Sequence, residues 1–149
     1  MATKKTTQST SDSGFSEAEL AAMKERAAEL RASKGGNKKA AEAERCLETI
    51  AGMNQPDRGL AERIHAIVLS EAPHLDSKTW YGFPAYARDG KVVVFFKPAE
   101  KFDSRYATLG FEEASQLDDG PMWATSYAVL EIGAAEEKLI RKLVKKAAG

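Results

Sequence analysis

The chain has 149 residues, 43% of them apolar and 30% charged, with 22 basic side chains balanced by 22 acidic ones. That length supports one core burying roughly 68 to 70% of the unfolded surface, and the balanced charge removes the simplest argument for nucleic acid as a partner. The longest apolar run, Val92 to Phe96, falls far short of the roughly 18 to 20 residues of a membrane span, and the single cysteine, Cys46, forms no intrachain disulfide and accords with a reducing, cytoplasmic setting.

Residues 1–16 read as a disordered polar tail, because "MATKKTTQSTSDSG" has basic residues but no apolar segment behind them and so is not a secretory signal. Order begins at "FSEAEL". Ser16 can cap the first amides of a helix, Glu19 completes a capping box, and Phe15 can staple onto Leu20. Leu20, Met23, Ala27 and Leu30 recur at helical spacing and predict the buried stripe. The paired glycines of "SKGGNKK" end that helix. A second helix, over about 38–51, is expected to turn Ala43, Leu47 and Ile50 inward and to stop near Gly52. Residues 17–52 thus form an N-terminal helical extension, expected to dock on a main domain at 53–149.

"NQPDRGLAERIHAIVLSEAP" predicts a third helix with Asp57 as its N-cap, an inward face of Leu60, Ile64, Ile67 and Val68, and a stop at Pro73. His65 and His74 are nine residues apart, the wrong spacing for two ligands on one helical face, and read as boundary and surface residues. The grammar then turns to β. Asp89-Gly90 between Ala85–Arg88 and Lys91–Phe96 is a type I′ hairpin signal, and the unbroken apolar run of the second strand predicts an inner position. "RYATLGF" and "WATSYAVLEI" supply two more strands, joined through "EEASQLDDGP", which predicts a short helical turn. The last helix, "AAEEKLIRKLVKKAA", opens on glutamates, closes on lysines, and aims Leu139, Ile140, Leu143 and Val144 at the core. Helices segregated from a run of antiparallel strands predict an α+β fold, an antiparallel sheet meander packed by helices.

The motifs of common catalytic machinery are absent: no G-x-S-x-G, no G-x-x-x-x-G-K-[ST], no G-x-G-x-x-G and no Cys-x-x-Cys. The reading is therefore a protein that is not an enzyme, with a Cys46–His65 or Cys46–His74 pair as a distant alternative. Glu112, Glu113, Asp118 and Asp119 gather four carboxylates within eight residues and are the metal candidates, since Mg²⁺ or ferric iron favours clustered carboxylate oxygens. The same residues also suit a helix first turn and an Asp-Asp-Gly turn. Eleven of the twelve aromatic residues lie between Trp80 and Tyr127. They form either ordinary core or the lining of a ligand pocket, for which Trp80, Tyr81, Gly82, Phe83, Pro84, Tyr86 and Trp123 are the candidates, with Arg88, Lys97 and Arg105 near enough in sequence to hold a small anion or an aromatic acid.

"TWYGFPAY", followed by a hairpin and "FFKPAEKFDSRYATLGF", resembles the YdhG-like family of small bacterial domains of unknown function. The resemblance covers about residues 53 to 148, and "FSEAELAAMKERAAELRA" resembles the extension of one branch of that family. It implies a compact α/β sandwich in a group described as frataxin-like iron chaperones, hence weak iron binding or delivery to a metal-accepting protein. A small-molecule binding or protein-interaction module using an aromatic-lined cavity is the alternative. Physically, Gly82 permits a φ-positive turn, Pro84 is expected to fix the next bend, and the flanking rings are expected to anchor the turn beneath the terminal helix.

Overall fold

The computed structural model describes residues 14–32 and 38–149. Of the tail expected over 1–16, residues 1–13 lie outside them, as does the stretch 33–37 where the paired glycines are expected to end the first helix. In chain order the elements are α1 (Glu17–Ala32), α2 (Lys38–Ala51), α3 (Asp57–Glu71), β1 (Asp76–Trp80), β2 (Phe83–Arg88), β3 (Lys91–Lys97), β4 (Ala107–Phe111), β5 (Ser126–Val129) and α4 (Ala134–Ala148), with a 3₁₀ turn at Glu100–Phe102. The fold is α+β, as expected. All five strands pair antiparallel in the order β1-β2-β3-β4-β5, so the sheet is a meander in which each strand lies beside its sequence neighbour.

Two of its hairpins are closed by two-residue turns with positive φ at both positions. Asp89 (φ 51) and Gly90 (φ 82) join β2 to β3, and Tyr81 (φ 55) and Gly82 (φ 82) join β1 to β2. The first was legible from Asp-Gly; of the second only the positive φ of Gly82 was, because tyrosine is a poor residue for positive φ and hid the hairpin. β1 was missed with it, since "DSKTW" carries little apolar character. Pro84 lies within β2, opposite Thr79, and fixes no bend. A bulge between Tyr86 and Ala87 shifts the β2–β3 register so that Tyr86 pairs with Val94 but Ala87 with Val92.

Side-chain alternation gives the sheet two unlike faces. Tyr86, Val94 and Phe111 stand on one cross-strand row, Phe96, Leu109 and Tyr127 on another, and both rows face the helices. Against them pack Ile64, Ile67 and Val68 of α3, Ile140 and Val144 of α4, and Cys46 and Ile50 of α2, all buried. The predicted inward face of α3 is the observed one. α2 and α4 are rotated from expectation, because Leu47 and Leu139 are exposed while Cys46, Ala147 and Ala148 are buried.

One predicted terminus also differs. Asp57 is not the N-cap of α3; it is the first helical residue, buried, and its carboxylate accepts the backbone N–H groups of Ala99 (3.2 Å) and Glu100 (2.9 Å). The short helical turn expected after β4 is a single turn closed by Ser115, whose N–H and hydroxyl both donate to the Glu112 carbonyl. The C-terminal end of α4 is well satisfied. Arg88 donates to the carbonyls of Ala148 and Ala114, each at 2.7 Å, and the Gln116 N–H donates to Ala147 O at 2.9 Å. Orphan carbonyls of a helix end thereby gain partners, one of them cationic.

Candidate functional site

The opposite face of the sheet carries the second half of the aromatics. Trp80 pairs with Phe83 across β1–β2, and Phe95 on β3 stands between Val94 and Phe96 of the helical face, paired with Ala85 on β2 and Gly110 on β4. Ring centroids are 5.9 Å apart for Trp80–Phe83, 5.5 Å for Trp80–Phe95, 5.6 Å for Phe83–Phe95 and 5.8 Å for Phe83–Phe102, the tilted and edge-on spacings that aromatic quadrupoles favour. Gly110 allows this: a Cβ there would collide with the Phe95 ring.

α1 lies over this platform. Its capping box is formed as expected, with the Ser16 N–H donating to Glu19 Oε1 (3.0 Å) and the Glu19 N–H to Ser16 Oγ (3.1 Å). The predicted stripe is not the buried one. Met23, Ala27 and Leu30 are exposed, and the buried residues of α1 are Ala22 and Glu29. Between the helix and the platform runs an open cleft of about 350 Å³ lined by Phe15, Ala22, Met23, Trp80, Tyr81, Phe83, Phe95 and Phe102, with Glu19, Lys97 and Glu112 as its polar groups. The Lys97 ammonium lies 4.8 Å from the Phe102 ring centroid, a cation–π contact at the cleft wall.

The helix is fastened by charge. The Glu29 carboxylate, 9% exposed, accepts the N–H groups of Tyr81 and Gly82, each at 3.1 Å. Arg26 sits 3.6 Å from Glu29 and 5.9 Å from the Tyr81 ring centroid. Lys101 donates to Glu25 (2.7 Å) and to the Gly82 carbonyl (2.9 Å). The turn is thus anchored beneath α1, not beneath the terminal helix. Two successive amides of a left-handed turn make an anion-binding concavity, which here is filled by a carboxylate of the same chain.

The chain matches no family model, no curated protein and no solved structure. What the site can do therefore follows from its own residues.

The sequence-derived ligand candidates divide between the two faces. Trp80, Tyr81 and Phe83 line the cleft, and Gly82 lies on the far side of the turn in a separate cavity of about 320 Å³ beneath α1. Pro84 and Tyr86 face the helical core. Trp123 is exposed in the loop before β5 and is not part of the cleft. Of the cations, Lys97 reaches the cleft, Arg88 is engaged at the end of α4, and Arg105 lies over Tyr106, with its guanidinium 5.2 Å from the ring centroid. Glu29 and Ala22 were not foreseen, and Met23 was expected only as part of a buried stripe; no local pattern marks a glutamate whose partners lie 52 and 53 positions away.

Glu112, Glu113, Asp118 and Asp119 are all exposed. Among the described residues no group of three or more His, Cys, Asp and Glu is placed to hold a metal ion. Cys46 is fully buried, and burial pushes its thiol up to about 12, only partly offset by the Tyr86 hydroxyl beside it. That is the reverse of what a nucleophile needs. Tyr86 also lies 2.8 Å from His65 Nδ1, and burial lowers the pKa of His65. His74 Nε2 contacts the Ala148 carbonyl at 3.2 Å. Both histidines have structural partners.

Proposed function

We propose that this chain is a binding domain, not an enzyme, that takes a flat aromatic small molecule in the cleft between α1 and the outward face of the sheet. One observation carries the reading: Trp80, Phe83, Phe95 and Phe102 line an open cleft of about 350 Å³ instead of joining the helical core. Ligand sites are typically concavities of roughly 300 to 1,000 Å³ with apolar walls and few polar groups, and aromatic walls gain most from a flat ring at offset or edge-on spacing. A cytoplasmic setting belongs to the same proposal, supported by the lone thiol Cys46. Among the described residues no helix is long and apolar enough to cross a membrane. Iron binding or delivery rests mostly on the YdhG-like resemblance, and among the described residues the four carboxylates offered for it form no group of three or more placed to hold a metal ion.

The test uses Trp123→Phe protein, in which Trp80 is the sole indole, titrated with the neutral probe 2-naphthamide. Saturable quenching of Trp80 is expected, weakened by about tenfold in Phe95→Ala through loss of ring contact and buried area. Quenching that is linear in probe and indifferent to Phe95 would refute the reading.

A further inference from the structure

The amides of Tyr81 and Gly82 raise a second question, because the group bound to them comes from a helix with almost no apolar hold on the sheet. Ala22 is the one buried apolar side chain among those described in α1, and the other buried residue is the Glu29 carboxylate itself. Tyr81 links the two features. Its ring lines the aromatic cleft while its N–H, with that of Gly82, binds Glu29. On the other side of that turn, the cavity of about 320 Å³ is lined by Glu25, Glu29, Arg45, Thr49, Thr79 and Gly82, with the Glu25 carboxylate already paired to Lys101. No carboxylate pairs with the Arg45 guanidinium among the described residues. Two convergent N–H donors and a guanidinium with no carboxylate partner among the described residues form an acid-binding seat, and tyrosine held at φ 55 is a strained position of the kind concentrated at binding sites.

We propose that Glu29 is a built-in occupant of this seat, and that the ligand of the aromatic cleft is an aromatic carboxylic acid whose carboxylate displaces Glu29 from the Tyr81 and Gly82 amides, with Arg45 as its counter-charge and α1 lifting as a latch. The inference rests on the cleft reading above and adds the charge of the ligand and the means of entry. A neutral ring uses the cleft with α1 in place. An acid must compete with an intramolecular carboxylate held at high effective concentration, so removing that competitor strengthens acids selectively.

The experiment compares 2-naphthoate with 2-naphthamide on Trp123→Phe protein, with and without Glu29→Gln and with Glu29→Ala as a second form. Glu29→Gln keeps the side-chain volume, and a far-ultraviolet spectrum equal to the parent's confirms the fold. Expected are at least about tenfold tighter binding of 2-naphthoate, the worth of charge-assisted hydrogen bonds no longer contested, no gain for 2-naphthamide, whose cleft shares the α1 wall, and freer acrylamide quenching of Trp80. Adding Arg45→Met should reverse the gain for the acid alone. Equal gains for both probes, or an acid affinity indifferent to Glu29 and Arg45, overturn the seat. Binding of neither probe to any form overturns the cleft reading itself, and the ligand assignment falls with it.

Discussion

Gly110 and Phe95 show how one missing methyl group shapes a surface. The Phe95 ring occupies the volume that a Cβ at Gly110 would claim, so a side chain there must push the ring off the platform. Gly110→Ala is expected to destabilise the protein by about 1 to 3 kcal/mol, the usual range for overpacking, and to weaken naphthamide binding as Phe95 rotates away. Urea unfolding monitored by circular dichroism measures the first effect and Trp80 quenching the second. An unchanged midpoint would mean that the ring has another place to go. Gly82 differs in kind. Its φ of 82 is required by the turn, and a side chain would also meet the ends of Glu25 and Lys101. Its need for positive φ was readable in "YGFP", whereas the need for glycine at 110 was not, because Phe95 reaches it only through strand pairing.

Strand β3 separates neighbours by face. Phe96 is fully buried against α3 and α4, while Phe95 points the other way toward α1. Phe96→Ala should therefore cost about 3 to 5 kcal/mol, as for a large ring removed from a packed core, and Phe95→Ala about half that or less, because the cleft is already open there. Comparable losses in the two proteins, measured by urea denaturation, would contradict the two-faced sheet. α1 shows the limit of periodicity as a guide. Leu20, Met23, Ala27 and Leu30 have the spacing of a buried stripe, yet the helix turns Ala22 and Glu29 inward because hydrogen bonds from Tyr81 and Gly82 outweigh burial of so thin an apolar edge. Where the apolar face was broad, as in α3, prediction and structure agree.

Across the molecule, three helices roof one face of the sheet, and the alignment of α3 with α4 is reinforced by charge. Glu137 on α4 accepts from Arg63 on α3 and from Arg141, which also reaches Glu71, and these two arginines hold the Glu137 carboxyl below its ordinary range. The buried ionisable groups set the pH profile. Burial lowers the pKa of His65, so the unfolded chain takes up a proton first as pH falls below roughly 6.5, and stability drops on that side. Cys46 acts on the other limb. Its folded value of about 12 exceeds the ordinary thiol value of 9.0, so the unfolded chain loses its proton first and stability falls as pH rises above that ordinary value. The urea midpoint should be highest between these limits. His65→Gln should flatten the decline between about pH 6.5 and 5, and Cys46→Ala the decline above about pH 9; a midpoint independent of pH across both windows would contradict the assignment.

The helices, the Asp89-Gly90 hairpin, the inner β3 strand and the α+β class were written in local order, because capping, turn conformation and apolar periodicity act between residues a few positions apart. Which aromatic rings met the core and which met the cleft was decided only in three dimensions. A shift of one residue in strand pairing exchanges the two faces, and the bulge at Tyr86 and Ala87 sets that register through contacts between strands. The same holds for Glu29, one glutamate among many until the chain folds back 52 residues and sets two turn amides before it.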